Sequence, residues 1–242
     1  MNEVRTKKKF RMFPEYRWLL PAAIAVIHMA VYLGTKLING GMYHHDLTIG
    51  LDRLIPFDPR WALIYVLTFI FWVAGLISAA WEEHELCLKL FTAVIISELI
   101  CAVFFIALPT SIARPEPVLT GQYTDTLIAA IYSSDVPSNL FPSMHCMMAY
   151  LVFRGMVLSP RYKPVYCVLG GILTVLICIS TLYIKQHFFL DVVAGLAFGE
   201  IAVQLALRTR AWTLLDRLCK KVLQSVNRCD SFDCKENRKE IL

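Results

Sequence analysis

Six runs of apolar residues, near 18–34, 61–80, 90–108, 143–158, 165–183 and 188–207, each approach the length needed to cross a bilayer as a helix. A hydrocarbon core of roughly 30 Å takes about 20 helical residues. A backbone in lipid must satisfy its hydrogen bonds within the segment, so the runs predict an all-α integral membrane fold with six transmembrane helices. Composition agrees: 57% of the 242 residues are hydrophobic and 18% charged, too apolar a balance for a soluble globule. The eight cysteines are scattered through apolar runs and a basic tail, which excludes a small disulfide-stapled scaffold. The first run follows a basic segment (Arg5, Lys7, Lys8, Lys9, Arg11, Arg17) but precedes no small-x-small cleavage site, so it reads as an uncleaved first helix.

Charge sets the expected orientation. Of the 24 Lys and Arg, eighteen fall before the first run, after the last, or in the two short connections on that same side; five (Lys36, Arg53, Arg60, Arg114, Lys185) fall in the opposite connections. The positive-inside rule then places both termini in the cytoplasm of a multi-pass cell-membrane protein. The chain divides into a basic N-terminus 1–17, a membrane domain 18–207 and a basic tail 208–242. In the tail, Trp212, Leu215, Leu218, Val222 and Val226 recur at helical spacing among Arg217, Lys220 and Lys221, which predicts an amphipathic helix on anionic headgroups. The net charge of +5 sits mostly at the two ends, and no helix-turn-helix or zinc-finger spacing points to nucleic acid. No partner protein is evident beyond the bilayer itself.

Two connections on the outer side are long. Residues 35–60 end in Leu51-Asp52-Arg53-Leu54-Ile55-Pro56-Phe57-Asp58-Pro59, an expected ordered turn, and 109–141 have room for a short surface helix near Asp125 to Tyr132. Polar residues cluster at the outer ends of the runs, in Ala113-Arg114-Pro115, in Asn139-Leu140-Phe141-Pro142-Ser143-Met144-His145 and in Lys185-Gln186-His187-Phe188-Phe189-Leu190-Asp191. Ionisable groups are expensive in a membrane and mark functional sites there. Pro142 and Ser143 suit a helix start, with Pro142 expected at the first helical position and free backbone N–H groups that attract an anion such as phosphate. His187 and Asp191, four apart, are expected on one helix face, the carboxylate holding one imidazole N–H and leaving the other nitrogen as a nucleophile. His145 is then placed to protonate a leaving oxygen, and Arg114 and Lys185 to neutralise charge on a five-coordinate phosphorus. This chemistry requires no metal and no cofactor. His44-His45-Asp46 are adjacent and diverge, and Cys229 and Cys234 have no second pair, so neither group is read as a metal site. Cys146 reads as packing.

These residues resemble the type 2 phosphatidic acid phosphatase superfamily, relatives of the vanadium haloperoxidases. The family pattern is a lysine seven residues before Arg-Pro, then Pro-Ser-Gly-His, then Ser-Arg, five residues, His, three residues and Asp. The matches are Arg114-Pro115, Pro142-Ser143-Met144-His145, and Ser180 with His187 and Asp191. The resemblance implies His187 as the nucleophile that becomes a phosphohistidine, Asp191 as its orienter, His145 as general acid, and Arg114 and Ser143 as phosphate ligands. Ala107, Met144 and Thr181 stand where the family has Lys, Gly and Arg; Met144 keeps its place in the phosphate-binding motif, and Lys185 is the replacement cation. With Ile55-Pro56-Phe57-x-Pro59 and Tyr65, these departures are similar to the inositolphosphotransferase and sphingomyelin-synthase-like branch. The resemblance implies a lipid phosphatase acting on phosphatidate or an isoprenyl diphosphate, or else a phosphotransferase to a lipid or polyol hydroxyl. A transporter or a non-catalytic lipid-binding protein is the alternative of another class, against which stand the absent inverted repeats and the gathering of polar residues on one side. Arg154, Glu98 and Glu200 fall at similar depth within the runs, and Arg154 is expected to pair with one of the glutamates.

Overall fold

The computed structural model describes residues 15–116 and 122–236, with side chains for 17–116 and 122–225. Among these the structure is helical and has no strand. A 3-10 turn at Glu15–Trp18 leads into α1 (Leu19–Asn39). The short α2 (Gly50–Leu54) and a second 3-10 turn (Pro59–Trp61) precede α3 (Ala62–Ala80). Then follow α4 (His84–Ala107), α5 (Tyr123–Ser134), α6 (Met144–Leu158), α7 (Pro164–Tyr183), α8 (Phe189–Arg208) and α9 (Ala211–Glu236). The basic segment before Glu15 and the side chains of Val226, Cys229 and Cys234 lie outside the described residues.

Five stretches are long and apolar enough to cross a membrane: α1, Pro59–Ala80, α4, α7 and α8. The expected fourth span is shorter, because Ser143 caps α6 at one end and Ser159-Pro160 stops it after 15 residues, about 22 Å of helix. It lies inside the bundle, packed on α3, α7 and α8, while α4 packs on α1 and α8. Two helices outrun their apolar stretches. α1 continues to Asn39, with Thr35 and Asn39 buried, and α4 begins at His84. Outward residues of the long helices, among them Val26, Ile70, Val103, Val168 and Ile172, are apolar and exposed, as lipid contact requires.

Alternation of the long helices puts both described ends of the chain at one end of the bundle. There Glu82, 2% exposed, ties three segments: Arg17 Nη1 donates to its carbonyl at 2.5 Å, and Ser159 Oγ to its carboxylate at 2.6 Å. α9 folds back on this end. Trp212, Leu215 and Cys219 pack on the core, and His84 Nε2 lies 3.0 Å from Asp216 Oδ1. The stripe expected to face lipid is therefore divided, since Trp212 and Leu215 turn to the bundle and Leu218 and Val222 stay exposed.

Between α6 and α8 Arg154 Nε donates to Glu200 Oε2 at 2.8 Å in a part-buried pair, and Tyr150 and Gln204 complete that carboxylate's shell. Of the two glutamates, Glu200 is the partner; Glu98, 1% exposed, instead meets His28 Nδ1 at 2.8 Å.

Candidate active site

The opposite end of the bundle collects the C-terminal ends of α1, α4 and α7 and the N-terminal ends of α3, α6 and α8. Three cap structures shape it. Ser143 is the N-cap of α6, its Oγ accepting Cys146 N–H at 3.3 Å; Pro142 thus precedes the cap and is not the first helical residue, because the serine hydroxyl claims that position. The first-turn N–H groups of Met144 and His145 have no intrahelical acceptor. α7 ends with Lys185 in the left-handed region at φ 52. Gln186 N–H returns to Thr181 O at 2.9 Å and Lys185 N–H to Leu182 O at 3.2 Å, the Schellman closure that usually selects glycine. α8 begins at Phe189, so His187 stands outside the helix. Asp191 lies in its first turn, where Oδ2 accepts Phe188 N–H at 2.9 Å. His187 and Asp191 do meet, but by the carboxylate reaching back over the cap and not by sharing a helix face.

The α6 and α8 starts are locked together. Ser143 N–H donates to Asp191 O at 3.0 Å. A Cβ on Gly195 would fall 2.7 Å from Ser143 O, so only glycine admits this approach.

Within this frame three side chains form a line. Asp191 Oδ2 is 3.3 Å from His187 Nδ1, and His187 Nε2 is 3.2 Å from His145 Nδ1. His145 Nε2 then meets the Tyr65 hydroxyl of α3 at 2.7 Å. Asp191 is fully buried and His187 5% exposed. Burial disfavours a charge on His187, but the hydrogen bond and the negative charge of Asp191 prevail and hold its pKa above the ordinary histidine value.

Arg114 joins the site through a residue that sequence reading passed over. Its guanidinium donates to Gln186 Oε1 and to Asp135 O, and lies 4.8 Å from the Tyr132 ring centroid. Burial lowers its pKa while Asp135 pulls the other way, and a guanidinium stays charged regardless. Arg114 Nε and Gln186 Nε2 are buried donors with no acceptor among the described residues. Such groups are costly to leave unmade, and an anion's oxygens satisfy them.

The other residues expected to bind phosphate lie in different surroundings. Ser143 is fully buried, with its hydroxyl used as the cap, and Met144 packs with Cys101, Phe105 and Met147. Lys185 turns to the loop around α2, its Nζ donating to Ile55 O at 2.6 Å and Asp52 O at 3.1 Å. It still borders a cavity of about 150 Å³, with His187, Asp52, Ile55 and Thr48. His44 and His45 are engaged with backbone: His44 Nε2 with Asn39 O at 3.1 Å, His45 N–H with Pro109 O at 2.8 Å. Cys146 is buried among Cys178, Leu182 and Val192. Asp135 and Gln186 were not legible in advance; a lone carboxylate in a long loop and an amide beside a histidine carry no periodic or spacing signal.

A helical membrane bundle with a carboxylate-histidine-histidine line and an arginine at one end defines a narrow class. Residues 86–214, just over half of the chain, match the family described as the PAP2 superfamily, and the protein belongs to it. Members of this superfamily are generally phosphatases or phosphotransferases. No curated protein and no solved structure matches the chain.

Proposed function

We propose that this protein is a membrane lipid phosphatase that hydrolyses a lipid phosphate through a phosphohistidine on His187. The observation that carries the reading is the alignment of Asp191, His187 and His145 beside the unpaired donors of Arg114 and Gln186. Asp191 holds the proton of Nδ1, so His187 presents the Nε2 lone pair to phosphorus. Phosphate enters between the two rings, its oxygens taken by Arg114, Gln186 Nε2 and the first-turn N–H groups of α6. His145 protonates the leaving oxygen and later takes a proton from the attacking water. No step calls for a metal.

The charge asymmetry supports six spans, cytoplasmic termini and a site on the extracytoplasmic side of the cell membrane. The exposed Leu214, Leu218 and Val222 of α9, beside Arg217, Lys220 and Lys221, support contact with anionic headgroups.

A second reading is transfer of the phosphoryl headgroup to a lipid or polyol hydroxyl, as in the inositolphosphotransferase-like branch. It is favoured by the commitment of Lys185 to loop carbonyls, which suits the site to a singly charged diester, with less charge to neutralise. Purified protein given labelled phosphatidate, isoprenyl diphosphate and a phosphodiester lipid in excess chelator separates the readings. Release of inorganic phosphate from the first two is expected. Transfer of label to a lipid or polyol establishes the second reading, and activity that vanishes on chelation overturns both.

A further inference from the structure

Glu98 takes no part in the catalytic line, yet it stands close to it. Its Oε1 lies 2.8 Å from His28 Nδ1 of α1, and the His28 ring meets the Trp72 ring of α3 edge to face, centroids 5.7 Å apart. The Trp72 ring lies 5.3 Å from the His145 ring, so a single indole separates this dyad from the site. Around the dyad, hydrogen-bonding capacity is left over. Glu98 Oε2, Trp72 Nε1 and Thr68 Oγ1 are buried with no partner among the described residues. Glu98 is 1% exposed, Trp72 8% and Thr68 0%. Thr68 and Trp72, four residues apart, share a face of α3. Counted from the ends of α1, α3 and α4 that meet at the site, His28, Trp72 and Glu98 lie at one level, roughly 15 Å inward. Unmet polar groups are costly at such a depth, and native structures rarely keep them. His28 is a quarter exposed, beside the outward Met29, so the dyad borders the lipid-facing surface of α1.

We propose that Glu98, Trp72 and Thr68, with His28 fixing the carboxylate, form a subsite for the lipid part of the substrate that takes a hydroxyl or amide close to the phosphate ester. The subsite rests on the phosphoryl-transfer reading above and names the lipids it serves. With phosphorus between His187 and His145, the leaving oxygen departs beside His145, whose ring is walled by Tyr65, Phe69 and Trp72. The lipid on that oxygen runs past the Trp72 indole toward the dyad. A hydroxyl or an amide both gives and accepts a hydrogen bond, so it answers the indole and threonine donors as well as Glu98 Oε2, in either protonation state of that carboxyl. An ester carbonyl only accepts and leaves an ionised Glu98 unmet. An isoprenyl chain answers none of the three and keeps them buried against hydrocarbon. The arrangement therefore favours phosphates of the lyso-glycerolipid or sphingoid type over isoprenyl phosphates. His28, Thr68 and Trp72 all precede the segment matched by the family.

The test measures kcat/KM in mixed micelles for three monoesters on the same preparations of full-length protein. Lysophosphatidate has a free hydroxyl, ceramide phosphate an amide and a hydroxyl, and hexadecyl phosphate neither. The ratio of either polar lipid to hexadecyl phosphate does not depend on how much of a variant is folded. Wild type is expected to prefer at least one polar lipid by about 10-fold or more, and Trp72→Phe and Glu98→Leu each to lower that ratio by about 5–20-fold. The polar lipid whose ratio falls more identifies the source of the bound group. Glu98→Gln, which keeps a donor and an acceptor in place, is expected to hold the ratio within about 3-fold of wild type. A ratio that stays at the wild-type value in both Trp72→Phe and Glu98→Leu overturns the subsite, as does a wild type that cleaves hexadecyl phosphate as well as the other two. Wild-type protein that cleaves none of the three and forms no His187-dependent phosphoenzyme overturns the phosphoryl-transfer reading itself.

Discussion

At the scale of single residues the chemistry turns on how Asp191 treats His187. Two opposed effects act on the imidazole: burial favours the neutral ring, and the adjacent carboxylate favours the charged one and wins. Only the neutral ring attacks, so the acidic limb of the kcat/KM profile is expected above pH ~6.5, the ordinary histidine value. Asp191→Asn removes the largest influence that opposes burial. It is expected to move that limb to lower pH and to cut the rate by about 10³–10⁴-fold, through loss of the tautomer and orientation. His187→Ala is expected to abolish turnover together with any acid-labile phosphoenzyme. A pH-rate profile for Asp191→Asn with an unmoved limb contradicts this account, and wild-type-like turnover in His187→Ala sinks the mechanism.

At the scale of elements, the site is made by helix ends, and each end has its own requirement. Lys185 holds a left-handed conformation that costs a non-glycine residue of order 1 kcal/mol, while its Nζ fastens the loop around α2. Lys185→Gly relieves the strain and loses the fastening, so its melting temperature is expected close to wild type while hydrogen exchange rises across residues 48–56. Lys185→Ala loses the fastening without relief and is expected to melt lower than Lys185→Gly. Equal melting of the two removes strain as the explanation. Farther down the bundle, Arg154→Ala leaves Glu200 without its cation and is expected to cost about 2 kcal/mol, of which Glu200→Gln in the same chain recovers part. Additive losses in thermal denaturation would show that the pair contributes no coupling.

At the scale of the whole molecule, the question is which side the site faces. Cysteines placed beside Arg114 or Lys185 are expected to react with an impermeant thiol reagent in intact cells, and one placed at Asn227 to react only after permeabilisation. The opposite pattern reverses the compartment of the substrate and leaves the catalytic line untouched. The N-terminal third of the chain matters here too. α1 lies outside the segment matched by the family, yet Asn39 Nδ2 donates to Asn139 Oδ1 at 2.7 Å and Asn139 Nδ2 to Thr35 Oγ1 at 2.8 Å. These bonds clamp the loop that carries Asp135 and leads into the α6 cap.

Apolar run length, charge placement and three short motifs determined the helical membrane class, the long helices to within a few residues at most ends, and the gathering of His145, His187 and Asp191. These follow from local physics, because a segment's hydropathy and a residue's fixed offset from a helix start are properties of neighbouring sequence. The short α5 over Tyr123–Ser134 was legible for the same reason. Contacts between distant segments were not. That Lys185 turns to Asp52 and Ile55, that Gln186 carries Arg114, and that Asp135 meets Tyr32 depend on which helix ends meet, across separations of roughly 70 to 130 residues. The left-handed turn at Lys185 was hidden as well: no glycine marks it, and the conformation is held by the backbone bonds of Lys185 and Gln186 to the end of α7 and by the bonds of Lys185 Nζ to the loop around α2. Tertiary structure alone decided those pairings, since the energy that selects a partner for a buried polar group comes from the neighbours the fold brings to it and not from its own position in the chain.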